Sequence, residues 1–369
     1  MLSYLAGVSK PVNGLSAIST NLRHAAFRLQ ANSRCTTWRS FQRSAIIGVP
    51  TTSGSTVNPN SSHAAAKGPI GKVQTISPLA PIGVQAALLH AEGPSADPAL
   101  SPRPKIFEEF SLNGRVGVVS GGNRGLGLEM ALALCEAGCK AVYCVDLPEL
   151  PSAEWEATSA FVKALGNSSR LEYVSADVTD QQNLWGKVEQ MADKEGRMDV
   201  CIAAAGVLKA HQDCLNYPAE EFREVMDINT NGVLYTAQAA GRQMVKFKQP
   251  GSIILIASMS GSITNRDHAW VSYNTSKSAV LQMGRSMACE LGPLGIRVNT
   301  LSPGHIYTKM TAAYLDKQPH LLEKWSNMNP MGRLGRSDEL RGVIAWLASD
   351  ASSFCTGSDI LVSGGHHSW

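Results

Sequence analysis

From Phe107 onward, short apolar runs alternate with segments whose apolar residues recur every three or four positions. The runs are RVGVVS (115–120), AVYCVD (141–146), LEYVSAD (171–177), DVCIAAAG (199–206), SIILIAS (252–258), IRVNTLS (296–302) and DILVSG (359–364). Between them lie stretches such as GLEMALALCEAG and NLWGKVEQMADKEG. Strands that are apolar throughout are buried on both faces, as parallel strands are when helices cover the sheet. The rhythm predicts an α/β fold, with a seven-stranded parallel sheet, doubly wound and flanked by helices, in a single domain over residues 105–369. Ligands of such sheets bind beyond the carboxyl ends of the strands, at the topological switch point. Polar residues just after each run are therefore the first candidates for a site.

The N-terminal part has a different character. Residues 1–91 hold eight of the 33 Lys and Arg and no Asp or Glu. The remainder carries 25 basic against 30 acidic residues, a net of −5, and no basic field points to nucleic acid. An acid-free stretch with spaced arginines, TNLRHAAFRLQANSRCTTWRSFQRSA, has the composition of a transit peptide. Residues 1–47 are thus expected to address the chain to mitochondria; the alternative is an unstructured tail on a cytoplasmic protein. Residues 48–104, rich in Ser, Thr, Pro, Gly and Ala, read as a low-complexity linker. No stretch approaches the roughly 18 apolar residues of a membrane helix. The eight cysteines form no Cys-x-x-Cys pair, and several sit inside apolar runs, so they read as buried reduced thiols. No metal site is expected at Cys135 and Cys139, or at His366 and His367.

After the first run comes SGGNRGLG, Ser120 to Gly127, with four glycines in eight residues. Glycine there is entropically costly unless something approaches the backbone closely. A tight turn into a helix presents free amides and a positive dipole end, the arrangement that holds a diphosphate. Asp146 ends the second run, 19 residues past Gly127, where a carboxylate can accept from an adenosine ribose diol. Its charge would repel a 2′-phosphate, which favours NAD over NADP. Arg124 acts in the opposite sense, since its guanidinium could pair with that phosphate.

VSYNTSKSAVLQMG places Tyr273 and Lys277 four apart, on one face of a helix. An ammonium beside a phenol would lower its pKa from about 10 towards the range of acid–base work. Upstream, SIILIASMSGS ends a run with Ser258 and Ser260, either able to bond a substrate oxygen.

Together these motifs, in this order, resemble the short-chain dehydrogenase/reductase family over Phe107 to the end, a Rossmann-type fold. The family's Thr-Gly-x-x-x-Gly-x-Gly is matched with Ser120 for Thr, and the resemblance implies cofactor contacts from Ser120, Gly121, Asn123, Arg124, Gly125, Leu126 and Gly127. It also implies Asp146 at the ribose, and Asp177 with Val178 at the adenine. The usual Asn-Asn-Ala-Gly turn is AAAG here; Ala204 and Gly206 keep the backbone approach, while both asparagine amides are lost. Asn229 matches the active-site asparagine of the proton relay. Ser258 lies three residues before Gly261, the family's spacing, whereas counting 13 residues back from Tyr273 selects Ser260; the strand-end position favours Ser258. Pro303, Gly304, Ile306 and Thr308 match the Pro-Gly-x-x-x-Thr that holds the nicotinamide.

The implied catalytic set is Asn229, Ser258, Tyr273 and Lys277, with Tyr273 and Lys277 also touching the cofactor and Ser258, Tyr273 and His305 facing substrate. The implied reaction is hydride transfer between NAD(P) and a secondary alcohol or ketone. The chain is most like the fungal polyol and ketose branch (arabinitol, mannitol, sorbose or xylulose type), expected to be a dimer or homotetramer. Two alternatives remain open at this point: a mitochondrial 3-oxoacyl-carrier-protein reductase, and a non-catalytic nucleotide-sensing protein. In the segment TAAYLDKQPHLLEKWSNMNPMGR, Tyr314, Trp325 and Met328 either line the pocket or pack its cover.

Overall fold

The computed structural model describes residues 79–91, 93, 101–209, 213–308, 311–312, 315 and 319–369. The transit-peptide reading of residues 1–47 lies outside the described residues, as does Tyr314. Within the segment read as linker, Gly83–Ala91 forms a helix, α1. Its sequence, GVQAALLHA, is dominated by Ala and Leu, whose side chains lose little freedom in a helix.

The body begins with β1 (Val116–Ser120), α2 (Gly125–Glu136), β2 (Ala141–Asp146), α3 (Ala153–Ala164), β3 (Arg170–Ser175), α4 (Gln181–Glu195) and β4 (Val200–Ala203). It continues with α5 (Ala219–Met226), a π-helical turn (Asp227–Asn231), α6 (Gly232–Lys246), β5 (Gly251–Ile256), α7 (Val271–Leu291) and β6 (Ile296–Pro303). Last come β7 (Ile306–Tyr307), α8 (Pro319–Asn327), β8 (Gly335–Arg336), α9 (Arg341–Ala348) and β9 (Asp359–Val362). Seven strands form one sheet in the order β3-β2-β1-β4-β5-β6-β9, and every neighbouring pair is parallel. The chain starts at the centre, steps outward to β3, and crosses back to lay β4 against β1. That reversal opens the crevice expected of a doubly wound sheet.

Successive side chains of a strand point to opposite faces, and here both faces are buried. Val116, Val118, Cys201, Ala203, Ile253 and Leu255 belong to one core, which includes residues of α4, α6 and α7. Val119, Val200, Ile202, Ile254 and Ile256 belong to the other, which includes residues of α2, α3 and α9. The apolar runs of the sequence therefore lack alternation because helices cover each side. Burial raises the thiols of Cys135 and Cys201 to about 12, leaving them inert at neutral pH.

The entry to α2 depends on close backbone packing. A methyl group on Gly127 would overlap the carbonyl oxygen of Gly121, so the turn and the first helical residues touch backbone to backbone. Gly127→Ala is expected to cost about 1–3 kcal/mol through overpacking. By contrast Gly342, on an exposed face of α9, has nothing within 4 Å of an added methyl. Gly342→Ala should therefore stabilise the fold by up to about 1 kcal/mol. Denaturant unfolding of the two variants checks both signs.

Candidate active site

The carboxyl ends of the strands bring the candidate residues together. β1 delivers the glycine loop, and α2 begins at Gly125 with no side chain capping its N-terminus, so its first amides remain available. The Ser120 hydroxyl receives the amide of Ala205 at 3.4 Å, joining the glycine loop to the turn after β4. That turn lacks the two asparagines of the usual motif. Asn229 supports it from the π-helical turn instead: its Oδ1 accepts from Val207 N at 2.8 Å and its Nδ2 donates to Val207 O at 2.9 Å. Single π turns inside helices recur at functional sites, and this one lets a fully buried amide reach a neighbouring strand end.

At the end of β2, Asp146 accepts from Asn123 N at 3.1 Å and from Leu147 N at 2.9 Å. Arg124, the next residue after Asn123 in the glycine loop, is exposed. After β3, Asp177 accepts from the amide and hydroxyl of Thr179 at 2.8 and 2.7 Å, and Val178 is buried against Gly232. After β6, Gly304 donates to Val362 O, Ile306 is buried, and the Thr308 hydroxyl bonds Thr311. These residues ring the switch point, and the uncapped helix N-terminus above a glycine cradle fits a dinucleotide diphosphate.

Ser258, Tyr273 and Lys277 meet at the end of β5. Gly261 allows it: a methyl there would stand 2.8 Å from the Lys277 backbone, so the loop lies directly on α7. The Ser258 hydroxyl accepts from Ser260 N at 3.1 Å and lies close enough to the Tyr273 phenol to lower its pKa. Ser260 is turned away, its hydroxyl receiving Asn265 Nδ2 at 2.8 Å. Of the two serines, Ser258 is the one placed at the phenol. Ser276, absent from the sequence-based set, donates to Tyr273 O at 2.7 Å and receives Asn229 Nδ2 at 3.1 Å.

Lys277 is buried, and its Nζ donates to Ile256 O at 2.8 Å. Gly206 lies between it and Asn229: a methyl there would be 3.3 Å from Asn229 Oδ1 and 3.6 Å from Lys277 Nζ. Burial lowers the Lys277 pKa to about 8. The electrostatics of Tyr273 differ from the spacing argument. Burial raises its pKa, and the opposing influence is the Ser258 hydrogen bond rather than the ammonium. Nζ lies 5.7 Å from the phenol ring centroid and gives one of its three protons to the Ile256 carbonyl. Lys277 therefore sits over the ring instead of pairing with the phenol oxygen.

Behind Tyr273 stands an aromatic wall that the sequence did not announce. Trp270 packs edge-on to Tyr273 at 6.2 Å and stacks on His268 at 4.1 Å. His305 stacks on Trp325 of α8 at 4.4 Å and meets His366 at 5.2 Å. Trp325 and Met328 thus belong to the packing around Tyr273. The His305 Nε2 is buried with no hydrogen-bond partner among the described residues, and burial, then His366 and His268, lower its pKa to about 3. It is neutral at physiological pH and cannot serve there as a second acid.

A family model described as Enoyl-(Acyl carrier protein) reductase matches residues 121–367. Sorbose reductase of Schizosaccharomyces pombe is 40% identical over 261 residues, covering 70% of this chain and 97% of that protein. The chain belongs to the short-chain dehydrogenase/reductase family. It is an NAD(P)-dependent oxidoreductase that acts on alcohol groups. The ribulose-forming D-arabinitol 2-dehydrogenase of Scheffersomyces stipitis is 33% identical, covering 72% of this chain and 98% of its own. A gluconate 5-dehydrogenase from Burkholderia cenocepacia, solved with NADP and tartrate, superposes with a TM-score of 0.65 at 26% identity, covering 71% and 99% of the two chains.

The buried imidazole has a measurable consequence. With its folded pKa near 3, below the unfolded value of about 6.5, His305 supports folding above pH 6.5, and that support is lost as pH falls towards 3. Between pH 7.5 and 5 the loss is about 2 kcal/mol. His305→Phe keeps a stacking ring and removes the titration. Its unfolding free energy should decline less over that interval, by about that amount, as urea denaturation at the two pH values will read.

Proposed function

We propose that this enzyme interconverts a sugar alcohol and its ketose. The observation that carries the reading is the convergence of Ser258, Tyr273 and a buried Lys277 ammonium at the end of β5, beside the crevice where the glycine cradle fits a dinucleotide. The sorbose reductase and arabinitol dehydrogenase likenesses, each spanning nearly the whole relative, support a polyol substrate. When bound, the nicotinamide supplies or accepts the hydride at the substrate carbon.

The chain's own groups handle the proton. In oxidation the Tyr273 phenolate accepts the proton of the substrate hydroxyl, and in reduction the phenol returns it to the carbonyl oxygen. Ser258 bonds the same oxygen and stabilises the charge developing there. With the cofactor bound, the Lys277 ammonium would help to hold the nicotinamide ribose. Asn229 and Ser276 hold the turn and helix that carry these groups in register. A panel of pentitols, hexitols and their ketoses, assayed with both cofactors, tests the substrate class. Tyr273→Phe should lower turnover by about 10²–10⁴-fold because only the proton donor is removed. Near-normal turnover would mean that the proton passes through another group. An acyl-carrier substrate is the second reading, favoured by the description of the matching family model; activity on 3-oxoacyl thioesters and none on polyols would establish it instead.

We infer further that NAD is preferred to NADP by at least about tenfold in kcat/KM, or about 1.4 kcal/mol. The carboxylate of Asp146 is held at the end of β2 by two backbone amides, and as the ribose contact it would repel a 2′-phosphate. A unit charge pair at about 4 Å costs roughly 1–4 kcal/mol, depending on local dielectric. The NADP held by the Burkholderia cenocepacia enzyme favours the opposite reading, with Arg124 as the phosphate partner. Asp146→Ser should erase or reverse the preference. Faster turnover of the wild-type protein with NADP at equal low cofactor concentrations would make Arg124 the deciding residue.

A further inference from the structure

We propose that Asn123 and Ser152 form a latch that holds the segment after β2 in place, making both positioning residues for discrimination between NAD and NADP. The proposal rests on the reading of Asp146 as the ribose contact.

Asn123 is buried in the glycine loop and engages both ends of the segment 146–152. Its backbone amide donates to Asp146 Oδ2 at 3.1 Å. Its side-chain Oδ1 accepts from Ser152 N at 2.7 Å, and its carbonyl accepts from the Ser152 hydroxyl, also at 2.7 Å. The backbone N–H of Ser152 can only donate, so the atom facing it is the amide oxygen. The amide nitrogen is thereby turned away from Ser152.

Ser152 is the N-cap of α3, and its hydroxyl accepts from Trp155 N at 3.2 Å. Capping requires that acceptance alone. Donation to the Asn123 carbonyl and the paired amide bond to Asn123 Oδ1 go beyond a cap and join α3 to the glycine loop. The segment between is held from its other side by β3. The Ser175 hydroxyl donates to Leu147 O at 3.2 Å, and the Tyr173 hydroxyl donates to Pro148 O at 2.6 Å. Tyr173 in turn packs edge-on against Trp155 of α3 at 5.6 Å.

Discrimination depends on this rigidity. A carboxylate on a loose segment could swing away from a 2′-phosphate and relieve the repulsion. Held by Asn123 N, with its following residues tied to Asn123, Ser175 and Tyr173, Asp146 cannot retreat. The ribose diol then meets an acceptor already oriented, and the ordering cost at binding is small.

Equilibrium titration with NAD and with NADP reads a dissociation constant for each. Ser152→Ala should weaken NAD binding about tenfold, the equivalent of one or two hydrogen bonds, and weaken NADP less or strengthen it. Ser152→Thr, which keeps the hydroxyl, should restore the wild-type ratio of the two constants. Asn123→Ala should narrow the ratio similarly while leaving the Ser152 cap in place, and the double variant should add little, since both break one unit. Equal weakening of both cofactors, or no change, in Ser152→Ala and Asn123→Ala overturns the latch. Asp146→Ser measured alongside separates the two readings. If it narrows the ratio while the latch variants do not, the ribose contact stands and the latch falls. If Asp146→Ser leaves the ratio intact, both fall.

Discussion

A buried ammonium sets the terms of this site. Lys277 is taken out of water in the middle of α7, where an unpaired charge would be expensive. Its compensation is the Ile256 carbonyl at the end of β5, 2.8 Å away. That bond requires α7 to lie against the end of β5, and Gly261 removes the side chain that would keep them apart. The same contact sets Ser258 beside Tyr273. Helix, strand end and the Ser258–Tyr273 pair thus meet around one buried charge.

The cofactor side is organised by different means. The glycine loop packs backbone to backbone, and the residues around it bridge separate strands. Ser120 holds the turn after β4, Asn229 holds Val207, and Asn123 holds Asp146 and Ser152. Each is a small polar residue whose hydrogen bonds join segments far apart in sequence. Such networks are costly when incomplete and rigid when satisfied. The AAAG turn has no side-chain amides of its own and is held by Ser120 and Asn229 reaching in from neighbouring elements.

The wall of His268, Trp270, His305, Trp325 and His366 draws on four separate parts of the chain, among them α8 and the final residues after β9. Two of its imidazoles are bonded in ways that place a proton. Trp325 Nε1 donates to His268 Nε2 at 3.1 Å, so His268 carries its proton on Nδ1, facing the Asp267 carbonyl. His366 Nδ1 faces Asn329 Oδ1, whose own Nδ2 is occupied by two carbonyls, so that nitrogen is the donor. Burial lowers the pKa of both His305 and His366, which disfavours positive charge on either ring.

Local pattern and order along the chain were enough to determine the sheet, its parallel strands and the strand ends that carry Ser120, Asp146, Ser258 and Pro303. Those features follow from periodicity and from glycine's steric needs, both visible over a few residues. The four-residue spacing of Tyr273 and Lys277 was legible for the same reason. Two expectations needed the fold. Spacing left Ser258 and Ser260 in competition, and Asn265, brought in by the following loop, claims Ser260 and leaves Ser258 to the phenol. Spacing also predicted an ammonium acting on the phenol oxygen, whereas burial decides the Tyr273 pKa and Ile256 claims the ammonium. Ser152 carried a visible signal, a serine before an acidic first turn, but its bond to Asn123 joins residues 29 apart. Burial and long-range hydrogen bonds depend on which distant segments the sheet brings together, and only the tertiary structure decides that.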